Sequence, residues 1–116
     1  MKIRYFLIAF LFIGNVVYGQ TDFKPGYIIT SSGEKQQGDI AYQSTARNYI
    51  STFFRSGAEI TEYSPNDIYG FGYNDGRYFI SGIVEGSFAE ALVVGDLSLY
   101  RYQEKYYLQK ENELEL

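Results

Sequence analysis

Residues 68 to 82 read IYGFGYNDGRYFISG, five aromatics and four glycines gathered around one Asn-Asp-Gly turn. Two short runs of Ile, Tyr and Phe on either side of turn residues spell a β-hairpin. If Asp75-Gly76 forms a two-residue loop, Gly72 faces Phe79 and Phe71 faces Ile80. If Asn74-Asp75-Gly76 forms a three-residue loop, Gly72 faces Tyr78 and Phe71 faces Phe79. In both registers a glycine lies under an aromatic ring, and Gly70 deepens the notch, so the sheet is expected to bend here. A phosphate-binding reading of Gly70, Gly72 and Gly76 fails. The dinucleotide fingerprint needs a differently spaced third glycine with a helix N-terminus after it, and an aromatic strand follows instead.

The same cadence extends in both directions. Stretches rich in Tyr, Ile, Val, Phe and Thr are broken every eight to twelve residues by Gly, Asn, Asp or Ser, which predicts an all-β protein. Strands are expected at 27–30, 35–42, 49–55, 59–63, 68–73, 77–84, 88–94, 97–103 and 106–110. Nothing holds a 3.6-residue period long enough for a long helix. Ser31-Ser32-Gly33-Glu34 and Ser56-Gly57-Ala58 read as hairpin turns, and Ser64-Pro65-Asn66-Asp67 as one short helical or 3₁₀ turn. Gly95-Asp96 has the order of a type II′ loop. It would pair Val94 with Leu97, Leu92 with Leu99 and Glu90 with Arg101 on one face, and Val93 with Ser98, Ala91 with Tyr100 and Ala89 with Tyr102 on the other.

The first nineteen residues, MKIRYFLIAFLFIGNVVYG, place Lys2 and Arg4 before the apolar run Tyr5 to Ile13 and small or slender residues at Val17 and Gly19. That order predicts a signal peptide over 1–19, cleaved after Gly19. Nine apolar residues rise about 14 Å as a helix, short of a hydrocarbon core of roughly 30 Å, so no transmembrane span is expected. Residues 20–25 read as a leader, and 26–116 as a single β domain with a barrel-like part (26–84) and a hairpin part (88–110). The expected location is exported: periplasmic, associated with the outer membrane, or secreted. Outer-membrane barrel strands need about nine to eleven residues, longer than most of these.

Composition removes several chemistries. The chain has no Cys and no His, which rules out thiol nucleophiles, His-based triads and the usual zinc and copper sites. Beyond residue 19 eight cations stand against fourteen acids, a net charge of −6 that argues against nucleic acid as a partner. Glu59 and Glu62 fall on opposite faces of a strand, and Asp67 and Asp75 suit turns, so no carboxylate pair is set up for catalysis. Asn74-Asp75-Gly76 lacks the alternating acids of a calcium loop. No cofactor and no catalytic residue are expected.

What remains is tyrosine, eleven of them after residue 19. A phenol ring offers a flat apolar face and a hydroxyl, which suits contact surfaces as well as cores. Tyr69, Tyr73 and Tyr78, with Tyr100, Tyr102, Tyr106 and Tyr107 as a second group, are the candidate interaction surface. The rival reading makes them cross-strand partners covering a thin sheet. Two functions follow: a non-catalytic exported module that binds a cell-envelope protein or serves as a structural part, or a glycan-binding or glycan-processing protein using a tyrosine platform. Pairing of exposed edge strands into a dimer is a further expectation.

Three stretches together carry a resemblance: GYIITSSGEKQQGDIAYQ at 26–43, YSPNDIYGFGYNDGRYF at 63–79 and LVVGDLSLYRYQEKYYL at 92–108. They resemble an uncharacterised family of small, signal-peptide-bearing exported proteins of Gram-negative bacteria, marked by a Y-x-P-x-D-I-x-G-F-G centre and a V-x-G-x-x-S-L-Y-x-Y hairpin. The resemblance implies export and a β-rich fold, with no activity, cofactor or substrate attached. The first half also has the rhythm of an Sm-like small barrel, so the fold expected is a small antiparallel Sm-like barrel or bent meander with a C-terminal β-hairpin extension. That likeness concerns architecture alone.

Overall fold

The structure is a computed structural model that describes residues 22–110. The expected signal peptide lies outside the described residues. Nine strands follow one another: β1 (Phe23–Thr30), β2 (Lys35–Ala41), β3 (Thr52–Ser56), β4 (Glu59–Tyr63), β5 (Ile68–Tyr73), β6 (Tyr78–Val84), β7 (Ser87–Val93), β8 (Leu97–Tyr102) and β9 (Lys105–Lys110). One four-residue helix, α1 (Thr45–Asn48), interrupts them. All nine strands join a single antiparallel sheet in the order β4-β3-β2-β1-β5-β6-β7-β8-β9. The all-β class and the bent meander hold, whereas the barrel does not close. β4 and β5 are linked by the turn at 64–67 yet share no ladder, and β4 and β9 are the sheet's two edges.

The sheet curls around its own aromatic residues. Ile28, Ile40, Tyr49, Phe54, Ile68, Phe71, Tyr73, Phe79 and Phe88 form one buried cluster. A flat sheet would hold β3 and β7 about 24 Å apart, five strand spacings, so a shared cluster requires strong curvature. Glycines permit it. A Cβ at Gly38 would meet the Phe54 ring at 2.5 Å, and one at Gly70 would meet the Phe79 carbonyl at 2.5 Å. The central hairpin takes the three-residue register, with Phe71 opposite Phe79 and Gly72 opposite Tyr78. The Phe71 and Phe79 rings stack at 5.1 Å, and Phe88 meets Phe71 edge-on at 4.9 Å. Gly76 closes this turn at φ 113°, a conformation an L side chain resists.

Three expectations need correction. Residues 23–25 are strand, not leader, because Phe23, Lys24 and Pro25 pair with Ala41, Ile40 and Asp39. Tyr49 does not begin a strand, because Ser44 caps α1 by accepting the Arg47 amide and β3 starts only at Thr52. The expected short turn at 64–67 is present: the Asp67 amide donates to the Ser64 carbonyl at 2.9 Å, the bond of a single 3₁₀-type turn, and Asp67 Oδ2 accepts both the backbone amide and the hydroxyl of Ser64. At the tip of the β7–β8 hairpin the register slips: Glu90–Arg101 and Ala91–Tyr100 pair as expected, then Val93 pairs with Leu99. Leu92 is the extra residue of that bulge. Gly95 is not at positive φ, and the Ser98 hydroxyl bonds to its amide and carbonyl at 3.2 and 3.3 Å, replacing the tight two-residue loop.

Candidate functional site

In an antiparallel ladder directly opposed residues share a face, so the pairings trace rows across the sheet. One row runs Ile28, Phe71, Phe79, Glu90, Arg101, Tyr106 from β1 to β9. The neighbouring row, on the opposite face, runs Tyr27, Gly72, Tyr78, Ala91, Tyr100, Tyr107. Large rings thus alternate with Gly72 and Ala91, and the rings lie down over the small residues. A Cβ at Gly72 would collide with the Tyr27 ring, and the Tyr27 and Tyr78 rings approach to 6.2 Å.

The seven candidate tyrosines do not assemble into one platform. Tyr73 is 2 % exposed, and its hydroxyl donates to the Ala41 carbonyl at 2.7 Å; it is a core residue on the side of the sheet that holds Phe71. Tyr100 is buried in the opposite-face cluster with Ile80 and Ala89, and Tyr78 and Tyr107 pack half-buried beside it. Tyr69, left unpaired by a bulge between β1 and β5, and Tyr106 are exposed and stand four strands apart in the sheet. Most of these rings cover a one-layer sheet. Burial raises the hydroxyl pKa of Tyr27 and Tyr73, and it pushes Tyr78 up to about 12, helped by the neighbouring Tyr69, Tyr27 and Tyr100 phenols.

Tyr102 leads to a groove beside α1. The segment 42–51 leaves β2 and lies against the curled sheet; the buried Asn48 Oδ1 accepts from Gln43 at 3.0 Å within the segment and from the Tyr73 hydroxyl of β5 at 3.3 Å. At its end the Tyr49 carbonyl accepts the backbone amide of Phe88 at 2.8 Å. The β7–β8 ladder is registered only from Glu90 onward. Tyr49 is therefore a wedge between β7 and the β8–β9 turn, and its ring meets Tyr102 at 4.9 Å and Phe79 at 6.4 Å. Beside the wedge opens a groove of about 620 Å³ lined by Thr45, Ala46, Tyr49, Ile50, Arg101, Tyr102, Gln103 and Glu104.

Ala46, Tyr49, Ile50 and Tyr102 are the apolar part of the groove's lining, and Thr45, Arg101, Gln103 and Glu104 the polar part. Ile50 is 68 % exposed, one of several large apolar side chains left on the surface, and it stands beside the Tyr49 and Tyr102 rings. Arg101 donates to Glu90 Oε1 at 2.7 Å, and Glu90 is 8 % exposed. Glu90 raises the guanidinium pKa further, first by that hydrogen bond and then by its charge. A carboxylate neutralised in this way is not a free base, and no group of three His, Cys, Asp or Glu among the described residues could hold a metal ion. The arrangement can grip an apolar side chain while Arg101 and Glu104 offer one charge of each sign.

A second, smaller hollow of about 290 Å³ is lined by Lys24, Pro25, Tyr42, Tyr73, Asn74 and Asp75. Arg77 stacks on the rings of Tyr42 and Tyr73 at 4.9 and 4.5 Å, and Lys24 lies 5.4 Å from the Tyr42 ring. These cations already have aromatic and carboxylate neighbours, with Asp75 at 4.0 Å from Arg77 and Asp22 at 3.9 Å from Lys24. No known protein family, no curated protein and no solved structure matches the chain.

Of the groove residues, the sequence pointed to Tyr102 alone. Tyr49 and Ile50 were hidden by a strand reading of 49–55. Ser44, a capping residue three positions before the Arg47 amide it accepts, was the signal for the helix that positions them.

Proposed function

We propose that this protein is a non-catalytic exported module that binds another protein of the cell envelope, and that it takes an apolar side chain of its partner in the groove between α1 and the β8–β9 turn. The observation that carries the reading is Ile50, an exposed aliphatic residue beside the Tyr49 and Tyr102 rings in a concave site whose buried acid is already paired. Concave apolar surface with a few polar groups at its edge is the ordinary form of a binding site. Export rests on the order of parts in the first nineteen residues.

A glycan platform gains less support. Rings that flank a sugar lie coplanar and open, whereas Tyr49 is buried and tilted 51° from Tyr102. The test is capture from an envelope extract with the wild-type protein and with Ile50→Asp and Ala46→Arg variants. A partner recovered by wild type and lost from both variants supports the reading. Undiminished capture by the variants, or binding to a glycan array that the variants abolish, would sink it.

A further inference from the structure

We propose that two copies of this chain pair along β9 about a two-fold axis through Tyr107, giving a continuous sheet across both. This goes beyond the groove and does not depend on it. β9 is an edge strand, and its six residues pair one for one with β8, from Tyr102–Lys105 to Leu97–Lys110, with no bulge to spoil the outer side. Natural edges are guarded by charge, proline, a bulge or cover. Here Lys105 and Lys110 stand at the ends, and the centre Tyr106-Tyr107-Leu108-Gln109 has no charge, proline or bulge, with Tyr106 and Leu108 left open by the described residues. β4, the other edge, is shorter and holds Glu59 and Glu62 without a base, so its self-pairing would gather four carboxylates.

Geometry narrows the register. An axis perpendicular to the sheet keeps each face on its own side, so only residues of one face can stand opposite each other. Centring on Tyr107 places Tyr106 opposite Leu108 of the second copy, and Leu108 opposite its Tyr106. These side chains are 62 % and 66 % exposed in the single chain, and they share a face with Arg101 and Leu99 respectively. Lys105 then stands opposite Gln109, and Lys110 opposite Glu104, so no like charges meet and one opposite pair forms twice. Centring on Leu108 would set Lys110 against Tyr106. Centring on Tyr106 would press Glu104 onto Leu108.

The Tyr107 register also continues what the fold already builds. The row Tyr27, Gly72, Tyr78, Ala91, Tyr100, Tyr107 meets its own copy at the axis. On the other face Tyr106 of one copy meets Leu108, the exposed end of the row Leu108, Leu99, Val93 of the second. Leu108 thereby gains a cross-strand aromatic neighbour on its open side.

The absence of cysteine makes the register directly readable. Directly opposed Cα atoms in antiparallel strands lie about 4.5 or 5.5 Å apart, within disulfide reach. For protein produced from the full-length chain, sedimentation equilibrium at about 100 μM should give a dimer mass, and Leu108→Lys should weaken association at least tenfold. Tyr107→Cys should form a disulfide-linked dimer on oxidation. Tyr106→Cys and Leu108→Cys should each stay single, yet link to one another when mixed. The mixing arm uses exposed positions and stands even where Tyr107→Cys fails to fold. A monomer at that concentration, or self-linking at Leu108→Cys without linking in the mixture, overturns the proposal.

Discussion

One row of the sheet, followed from β1 to β9, passes through two environments. At Ile28, Phe71 and Phe79 exposure is 1 % or less; at Glu90 it is 8 %, and at Tyr106, 62 %. The strands and pairing pattern hardly change along the way. What changes is the cover: β1 to β7 curl over the row and the 42–51 segment seals the curl, while no described residue covers Leu97, Tyr106 and Leu108 on β8 and β9. In the covered region apolar residues are the protein's core. In the uncovered region Leu97, Tyr106 and Leu108 are the same kind of residue at the same kind of position, left as surface.

The largest effect should come from breaking the covered end. Phe71→Ala removes the ring that stacks on Phe79 and meets Phe88, and should cost about 3 to 5 kcal/mol by denaturant unfolding. Leu108→Ala, measured below the dimerisation range, should change stability by no more than about 0.5 kcal/mol. Comparable losses for the two would show that something covers β9 in the folded monomer.

A smaller effect should mark the boundary between the regions. Arg101→Ala strands the Glu90 carboxylate beside Phe79 and should cost about 1 to 3 kcal/mol. That lies between an exposed pair, worth up to about 1, and a broken buried pair, about 3 to 5, because Arg101 is partly open to water. A loss below about 0.5 kcal/mol, the limit for plain surface, would move the boundary inward of Glu90.

The smallest effect belongs to the ring-covered face. Tyr78 keeps its proton in the fold to about pH 12, whereas the unfolded chain releases it near 10. Its contribution is complete below pH 10 and is lost as pH rises toward 12, since the unfolded state then holds fewer protons. The melting temperature should fall over that window in wild type and fall less in Tyr78→Phe. Equal slopes would mean that the row Tyr27, Tyr78, Tyr100 is more open to water than its packing indicates.

How far the sequence disclosed this molecule follows from the range of the interactions. The hairpin at 68–82 was legible because turn residues and opposing aromatics are local, although two registers stayed open until Phe71 stacked on Phe79. Glu90–Arg101 and Ala91–Tyr100 were legible for the same reason, and the slip at Leu92 was not, because Ser98 reorganises the tip through a side-chain hydrogen bond. Tyr73 was set among surface candidates although it alternates with Phe71, and the period of two would have placed it inside. Barrel closure failed as an expectation because it depended on β4 meeting β5, a contact no local pattern encodes. The groove was illegible for the same cause: it needs the 42–51 segment to reach β7.

The Tyr49–Phe88 hydrogen bond has a consequence in time as well as in space. It joins positions about forty residues apart, and the core it seals also draws on Phe79 and Phe88. A chain emerging from its N-terminus can make the β1–β2 and β3–β4 hairpins early, but it has nothing to close them over until β7 arrives. Folding should therefore be slow and late, set by the loop entropy of that closure, and residues 23–63 should wait as paired strands with their apolar side still wet.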